Sequence, residues 1–74
     1  MPNIENNKFT FEYGAYEKTI NLSKNYSNRI TVKVTPINEN INLYLTDVQN
    51  NYFTVAKNSI EELDVNYVVI ESDS

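Results

Sequence analysis

The chain contains no cysteine and no histidine, and only one glycine. Without cysteine there are no disulfides to brace a short domain. Without either residue, the usual thiolate and imidazole donors of a transition-metal site are missing too. The same absences remove the common catalytic constellations, because a serine nucleophile needs a base, and cysteine and histidine are the usual thiolate and imidazole. With Gly14 as the sole glycine, no glycine-rich phosphate loop can form, so nucleotide binding through that motif is excluded. The lack of cysteine leaves the compartment open, since it suits a reducing cytosol and equally an extracellular protein that relies on packing.

Positive charge is also scarce. Six Lys and Arg against ten Asp and Glu give a net charge of −4. That balance disfavours phosphate backbones and anionic lipid surfaces, both of which need a cationic patch, so nucleic acid is not an expected partner. No apolar run is long enough to cross a bilayer. The residues after Met1 are polar, with no basic segment leading into an apolar one, so neither a signal peptide nor membrane insertion is expected.

What remains is rich in core formers. Of the 74 residues, 41% are hydrophobic and 12% aromatic, too many for a disordered chain. The length allows one domain, but a small domain buries a limited share of its surface. With disulfides and metals removed as braces, association with further chains is the remaining source of stability.

The hydrophobic pattern repeats every two residues nearly throughout, which predicts strands. Residues 1–7 lack periodicity and read as a flexible N-terminal arm, with a single β-domain over residues 8–72. Phe9, Phe11 and Tyr13 alternate with Thr10 and Glu12. After Gly14 and Ala15, a second alternation runs through Tyr16, Lys18, Ile20 and Leu22. Residues 23–28 (SKNYSN) form a turn cluster of Asn and Ser. Ile30, Val32 and Val34 then share one face until Pro36, which cannot donate to a ladder, ends the pairing. A turn at Asn38, Glu39 and Asn40 leads to Ile41, Leu43 and Leu45, with Tyr44 on the opposite face. Residues 47–51 read as a hairpin connection into a strand at 52–57, with Phe53 and Val55 inward. Residues 58–64 (NSIEELD) carry capping-box spacing between Ser59 and Glu62 and fit either a turn or two of helix or a loop.

The last strand, residues 65–71, differs from the rest. Tyr67 and Val69 lie on one face and Val68 and Ile70 on the other, so both faces are apolar. Such a strand is either covered on both sides or leaves a face for a partner to bury. Tyr67, Val68, Val69 and Ile70 are therefore the candidate subunit interface. Six short strands with Asn-rich turns predict an all-β fold, a small antiparallel six-stranded β-sandwich or barrel-like domain.

Candidate chemistry is thin, and no catalytic residue, cofactor or metal site is assigned. An enzyme would have to run on carboxylates. Glu61, Glu62 and Asp64 lie close in sequence, with Asp47, Glu71 and Asp73 elsewhere, but acids in a loop and at a terminus are ordinarily there to meet solvent. Their spacing matches no calcium loop. The six tyrosines matter more. Exposed Tyr rings stack on sugars, their hydroxyls bond to sugar hydroxyls, and nearby Asn side chains add donors and acceptors. Tyr44 and Tyr52, on the polar faces of their strands, are the candidate ligand-binding pair. The simpler account, which weighs more, is that tyrosine is a good strand former packing on its neighbours. Asn21-Leu22-Ser23 and Asn25-Tyr26-Ser27 match the glycosylation sequon, as an Asn-rich chain does by chance.

Several segments taken in order carry a resemblance. They are Tyr13-Gly14-Ala15-Tyr16 with Thr19-Ile20-Asn21-Leu22, Ile30 through Pro36 (ITVKVTP), Leu43-Tyr44-Leu45-Thr46, Tyr52-Phe53-Thr54-Val55, and Val65 through Ile70 (VNYVVI). Together, over roughly residues 11–70, they resemble the small C-terminal β-domains of bacteriophage tail and head fibres, in the group related to H-type lectins. The resemblance implies a homotrimer on the virion surface, binding host-cell glycans or other virion proteins as a fibre tip, hub or capsid decoration. It carries over no sugar-site residue. A monomeric carbohydrate-binding module attached to an enzyme, using Tyr44 and Tyr52, is the alternative.

Overall fold

A computed structural model describes residues 4–37 and 39–72. The chain is all-β, with six strands and no helix among the described residues: β1 (Ile4–Phe11), β2 (Glu17–Asn21), β3 (Ile30–Pro36), β4 (Leu43–Val48), β5 (Tyr52–Lys57) and β6 (Leu63–Glu71). They form two three-stranded antiparallel sheets. Sheet A has the order β1-β6-β3 and sheet B the order β2-β5-β4.

The register shows why alternation suffices to build these sheets. Directly paired residues project to the same face. In sheet A, Glu5, Val69 and Val32 form one inward row, Asn7, Tyr67 and Val34 the next, and Phe9, Val65 and Pro36 the third. In sheet B the inward rows are Ile20, Phe53 and Val48, then Lys18, Val55 and Leu45. The two central strands, β6 and β5, supply most of the fully buried side chains, including Leu63, Val65, Val69, Phe53 and Val55. The sheets meet through aromatic rings. Phe53 of sheet B stands edge-on to Tyr67 of sheet A at 5.1 Å and to Phe9 at 6.4 Å.

Gly14 carries the chain from one sheet to the other. Its φ of 90° lies in the left-handed region that costs any side chain with a Cβ, and its N–H donates to the Ile60 carbonyl at 2.6 Å. A Cβ at this position would meet no neighbour, so only the backbone penalty applies. Gly14→Ala should therefore destabilise the domain by about 1–2 kcal/mol without altering its structure, as read from a urea unfolding midpoint.

Two expectations change and one open alternative is resolved. Residues 4–7, read as part of an arm, are strand: β1 begins at Ile4, which pairs with Ile70, because the nine-residue β6 supplies a partner that far out. The rest of the expected arm, residues 1–3, lies outside the described residues, as does Asn38 of the expected turn. Residues 58–62 are loop. Ser59 Oγ accepts the Glu61 N–H at 3.1 Å, a local turn in place of a capping box. The buried Lys57 ammonium holds this loop by donating to the Ser59 and Glu61 carbonyls while lying over the Phe11 ring at 5.0 Å. Finally, β4 runs to Val48 with a bulge between Leu45 and Asp47, and the hairpin into β5 closes through Gln49 N–H to Tyr52 O at 2.8 Å.

Candidate functional site: the outer face of sheet B

Because Phe53 and Val55 point inward, Tyr52, Thr54 and Ala56 point out, and their partners share that face. Tyr44 pairs with Ala56, Asp47 with Thr54, and Asn21 with Tyr52. The two tyrosines singled out from sequence thus lie on one surface, about 13 Å apart along the strand direction given four residues of strand rise. Asp47 lies between them. Its carboxylate accepts the Tyr52 hydroxyl at 2.9 Å and the Gln49 amide at 2.9 Å.

These two bonds fix the local electrostatics. The bond from Gln49, followed by that from Tyr52, holds the Asp47 carboxyl below the usual carboxylate range. The Tyr52 phenol is pushed upward because its proton bridges to Asp47. Tyr44 is 45% exposed, and its hydroxyl accepts a long bond, 3.4 Å, from the Asn58 amide. Thr19 and Thr54 share a hydroxyl bond at 2.9 Å beside them. The result is a surface with one exposed ring, one anchored ring, an oriented carboxylate and amide groups. The described surface has no cleft.

The candidate interface residues separate into two groups. Tyr67 and Val69 are inside the domain, 4% and 0% exposed, facing sheet B. Only Val68 and Ile70 face outward, in the rows Asn6, Val68, Lys33 and Ile4, Ile70, Thr31. Both are half-buried by these neighbours.

The acidic residues do not converge. Glu61 and Glu62 are exposed on the β5–β6 loop, and Asp64 accepts the Thr10 hydroxyl at 2.6 Å on the outer face of sheet A. Glu71 is buried at the far end of β6, accepting the Asn28 N–H at 3.0 Å. Asp73 lies outside the described residues. Among the described residues no three such side chains gather where a metal would bind.

Sequence reasoning missed a second polar cluster. Glu5 accepts bonds from the Ser23 hydroxyl at 2.8 Å, the Tyr26 hydroxyl at 2.8 Å and the Tyr67 hydroxyl at 3.5 Å. These partners stand 18, 21 and 62 residues away, so no local spacing could have revealed them. Compared with protein-family models, with curated proteins and with solved structures, the chain matches none.

Proposed function

We propose that this chain is a non-enzymatic recognition and assembly module. It is a β-sandwich that forms a homotrimer on a bacteriophage particle, as a fibre tip, hub or capsid decoration, and binds host-surface glycans through the outer face of sheet B. The observation that carries the recognition half is the Tyr44, Asp47, Tyr52 platform. A pyranose presents an apolar face and a rim of hydroxyls, and this surface offers an exposed ring beside an oriented carboxylate and amides. Support for the sandwich comes from the aromatic contacts between the inner faces of the two sheets. The virion setting and the trimer rest on the resemblance of the strand sequences and on the need of a 74-residue chain for a larger core.

A glycan array probed with the fluorescently labelled protein tests the reading. Binding to neutral glycans is expected, with Tyr44→Ala reducing the signal about tenfold, the loss of roughly 1.4 kcal/mol of stacking. Tyr44 is exposed, so the variant should keep its fold. A blank array, or binding unchanged in Tyr44→Ala, would remove the platform from consideration. The monomeric carbohydrate-binding reading shares this surface and differs in the number of chains per particle in solution.

A further inference from the structure

The outer face of sheet B is one-sided in charge. Its outward rows include Glu17, Ala56, Tyr44 and Thr19, Thr54, Asp47. The two lysines of these strands project the other way, Lys18 in a row with Val55 and Leu45, and the buried Lys57 over the Phe11 ring. Among the described residues, this face therefore holds two carboxylates, Glu17 and Asp47, and neither lysine nor arginine. Glu17 stands across the small Ala56 from Tyr44, about 10 Å away at two strand spacings. Tyr44 and Asp47 face Ala56 and Thr54, two residues apart on β5, which sets them about 7 Å apart along the strand. That span is close to the width of one pyranose with its hydroxyls.

Asp47 is also held in a fixed direction. Its Oδ1 accepts the Gln49 amide and its Oδ2 the Tyr52 hydroxyl, both at 2.9 Å. An ionised carboxylate has about four lone-pair sites, so each oxygen keeps acceptor capacity for a ligand. Two acceptors side by side match two gauche hydroxyls on neighbouring carbons of a sugar ring, whereas a trans-diaxial pair diverges and cannot reach both. At Tyr44, the Asn58 amide gives one N–H to the phenol oxygen and keeps a second. Acceptors and donors thus occur together. A sugar hydroxyl gives and takes at once and uses both, while an ammonium only gives and a carboxylate or sulfate only takes.

Building on the glycan reading of this surface, we propose that Asp47 is its specificity-determining residue: the carboxylate accepts a gauche vicinal diol of a neutral hexose stacked on Tyr44, and together with Glu17 it turns away sugars that carry a carboxylate, sulfate or phosphate. Charge and direction contribute separately. The charge strengthens the bonds from the sugar hydroxyls and repels anions. The direction comes from Tyr52 and Gln49, which act as positioning residues.

A glycan array tests this when probes ending in glucose, galactose or mannose are paired with their uronic-acid and amino-sugar counterparts, which differ at one ring substituent. The wild-type protein should prefer the neutral hexoses to the uronic acids by about fivefold or more, the effect of like charges roughly 4 Å apart in water. Asp47→Asn keeps the shape of the side chain and removes its charge. It should weaken neutral binding about tenfold and shrink the preference over uronic acids, which Glu17→Gln added to it should abolish. Tyr52→Phe keeps the charge and loses one anchor, so neutral binding should fall while the preference persists. Circular dichroism checks each fold. Should Asp47→Asn fail to fold, Tyr52→Phe decides the matter by that pattern, and a signal equal to wild type overturns the proposal. A preference unchanged in Asp47→Asn, or a wild-type signal stronger on amino sugars than on neutral hexoses, overturns the role of Asp47 and leaves the glycan reading standing. A blank array overturns both.

Discussion

Phe53→Ala should cost about 3–5 kcal/mol, a large share of the stability of so short a domain. The side chain is fully buried, and its ring bridges the two sheets, edge-on to Tyr67 at 5.1 Å and near Phe9 at 6.4 Å. Truncation removes the transfer free energy of the ring and leaves a cavity. The sheets cannot close it without shifting β5, which is hydrogen-bonded on both sides. Scale decides the outcome. At roughly 0.05–0.15 kcal/mol per residue, a chain of this length has about 4–11 kcal/mol in total. Urea unfolding followed by tyrosine fluorescence should show the midpoint falling far below that of the wild type. Phe53→Leu, which keeps most of the volume and loses the ring edges, should cost clearly less. A Phe53→Ala midpoint close to wild type would mean that the sheets are not held together through this ring.

Phe53 also illustrates what the sequence reveals and what it hides. Its inward direction is legible, since Tyr52 to Lys57 alternates cleanly, and so are the positions of nearly all the strands. Alternation assigns each residue to a face but says nothing about which strand lies beside which. The segments on either side of Gly14 are adjacent in sequence, yet β1 pairs with β6 and β2 with β5, in different sheets. The doubly apolar β6 was legible as a strand needing cover on both sides. That its Tyr67 and Val69 face is covered by sheet B follows only from the central position of β6 in sheet A. Tyr44 and Tyr52 were legible as facing away from the core, and the β4–β5 pairing then puts them together. Asp47 joins them because a bulge resets the register between Leu45 and Asp47, and no residue type in that stretch announces a bulge. Tyr26 was hidden most completely. It sits in a run of Ser, Asn and Lys that reads as an exposed turn, yet it is 4% exposed, because Glu5 supplies a partner for its hydroxyl and so permits the ring to be buried.

That pairing yields the second large effect. Glu5→Ala should destabilise the domain by about 2 kcal/mol, since hydrogen bonds to a charged acceptor are stronger than neutral ones and several donors lose theirs at once. The donors are the Ser23 hydroxyl and N–H, the Tyr26 hydroxyl and the Tyr67 hydroxyl, which together tie the start of β1 to the β2–β3 connection and to β6. Burial pushes the Glu5 carboxyl upward, but the bonds from Ser23, Tyr26 and Tyr67 outweigh it, and its net shift is downward. A carboxylate with a depressed folded pKa stabilises at neutral pH, and that contribution disappears as pH falls below the usual glutamate range and through the folded pKa. The Tyr26 phenol moves the other way. Burial, then its bond to Glu5, raises it from 10.0 to about 12. The unfolded chain gives up this proton near pH 10 while the folded chain retains it, so stability should decline again as pH rises from 10 toward 12. One carboxylate thus shapes both limbs of the pH–stability profile. Urea midpoints measured across the acid range should fall more steeply for the wild type than for Glu5→Gln, the two curves converging at low pH where Glu5 is protonated and resembles the amide. Parallel curves would show that the Glu5 charge contributes nothing to folding. The alkaline limb provides an independent check, because Tyr26→Phe removes one titrating group and should make that limb shallower while leaving the Glu5 carboxylate in place, the raised Tyr67 and Tyr52 phenols keeping the rest of the slope.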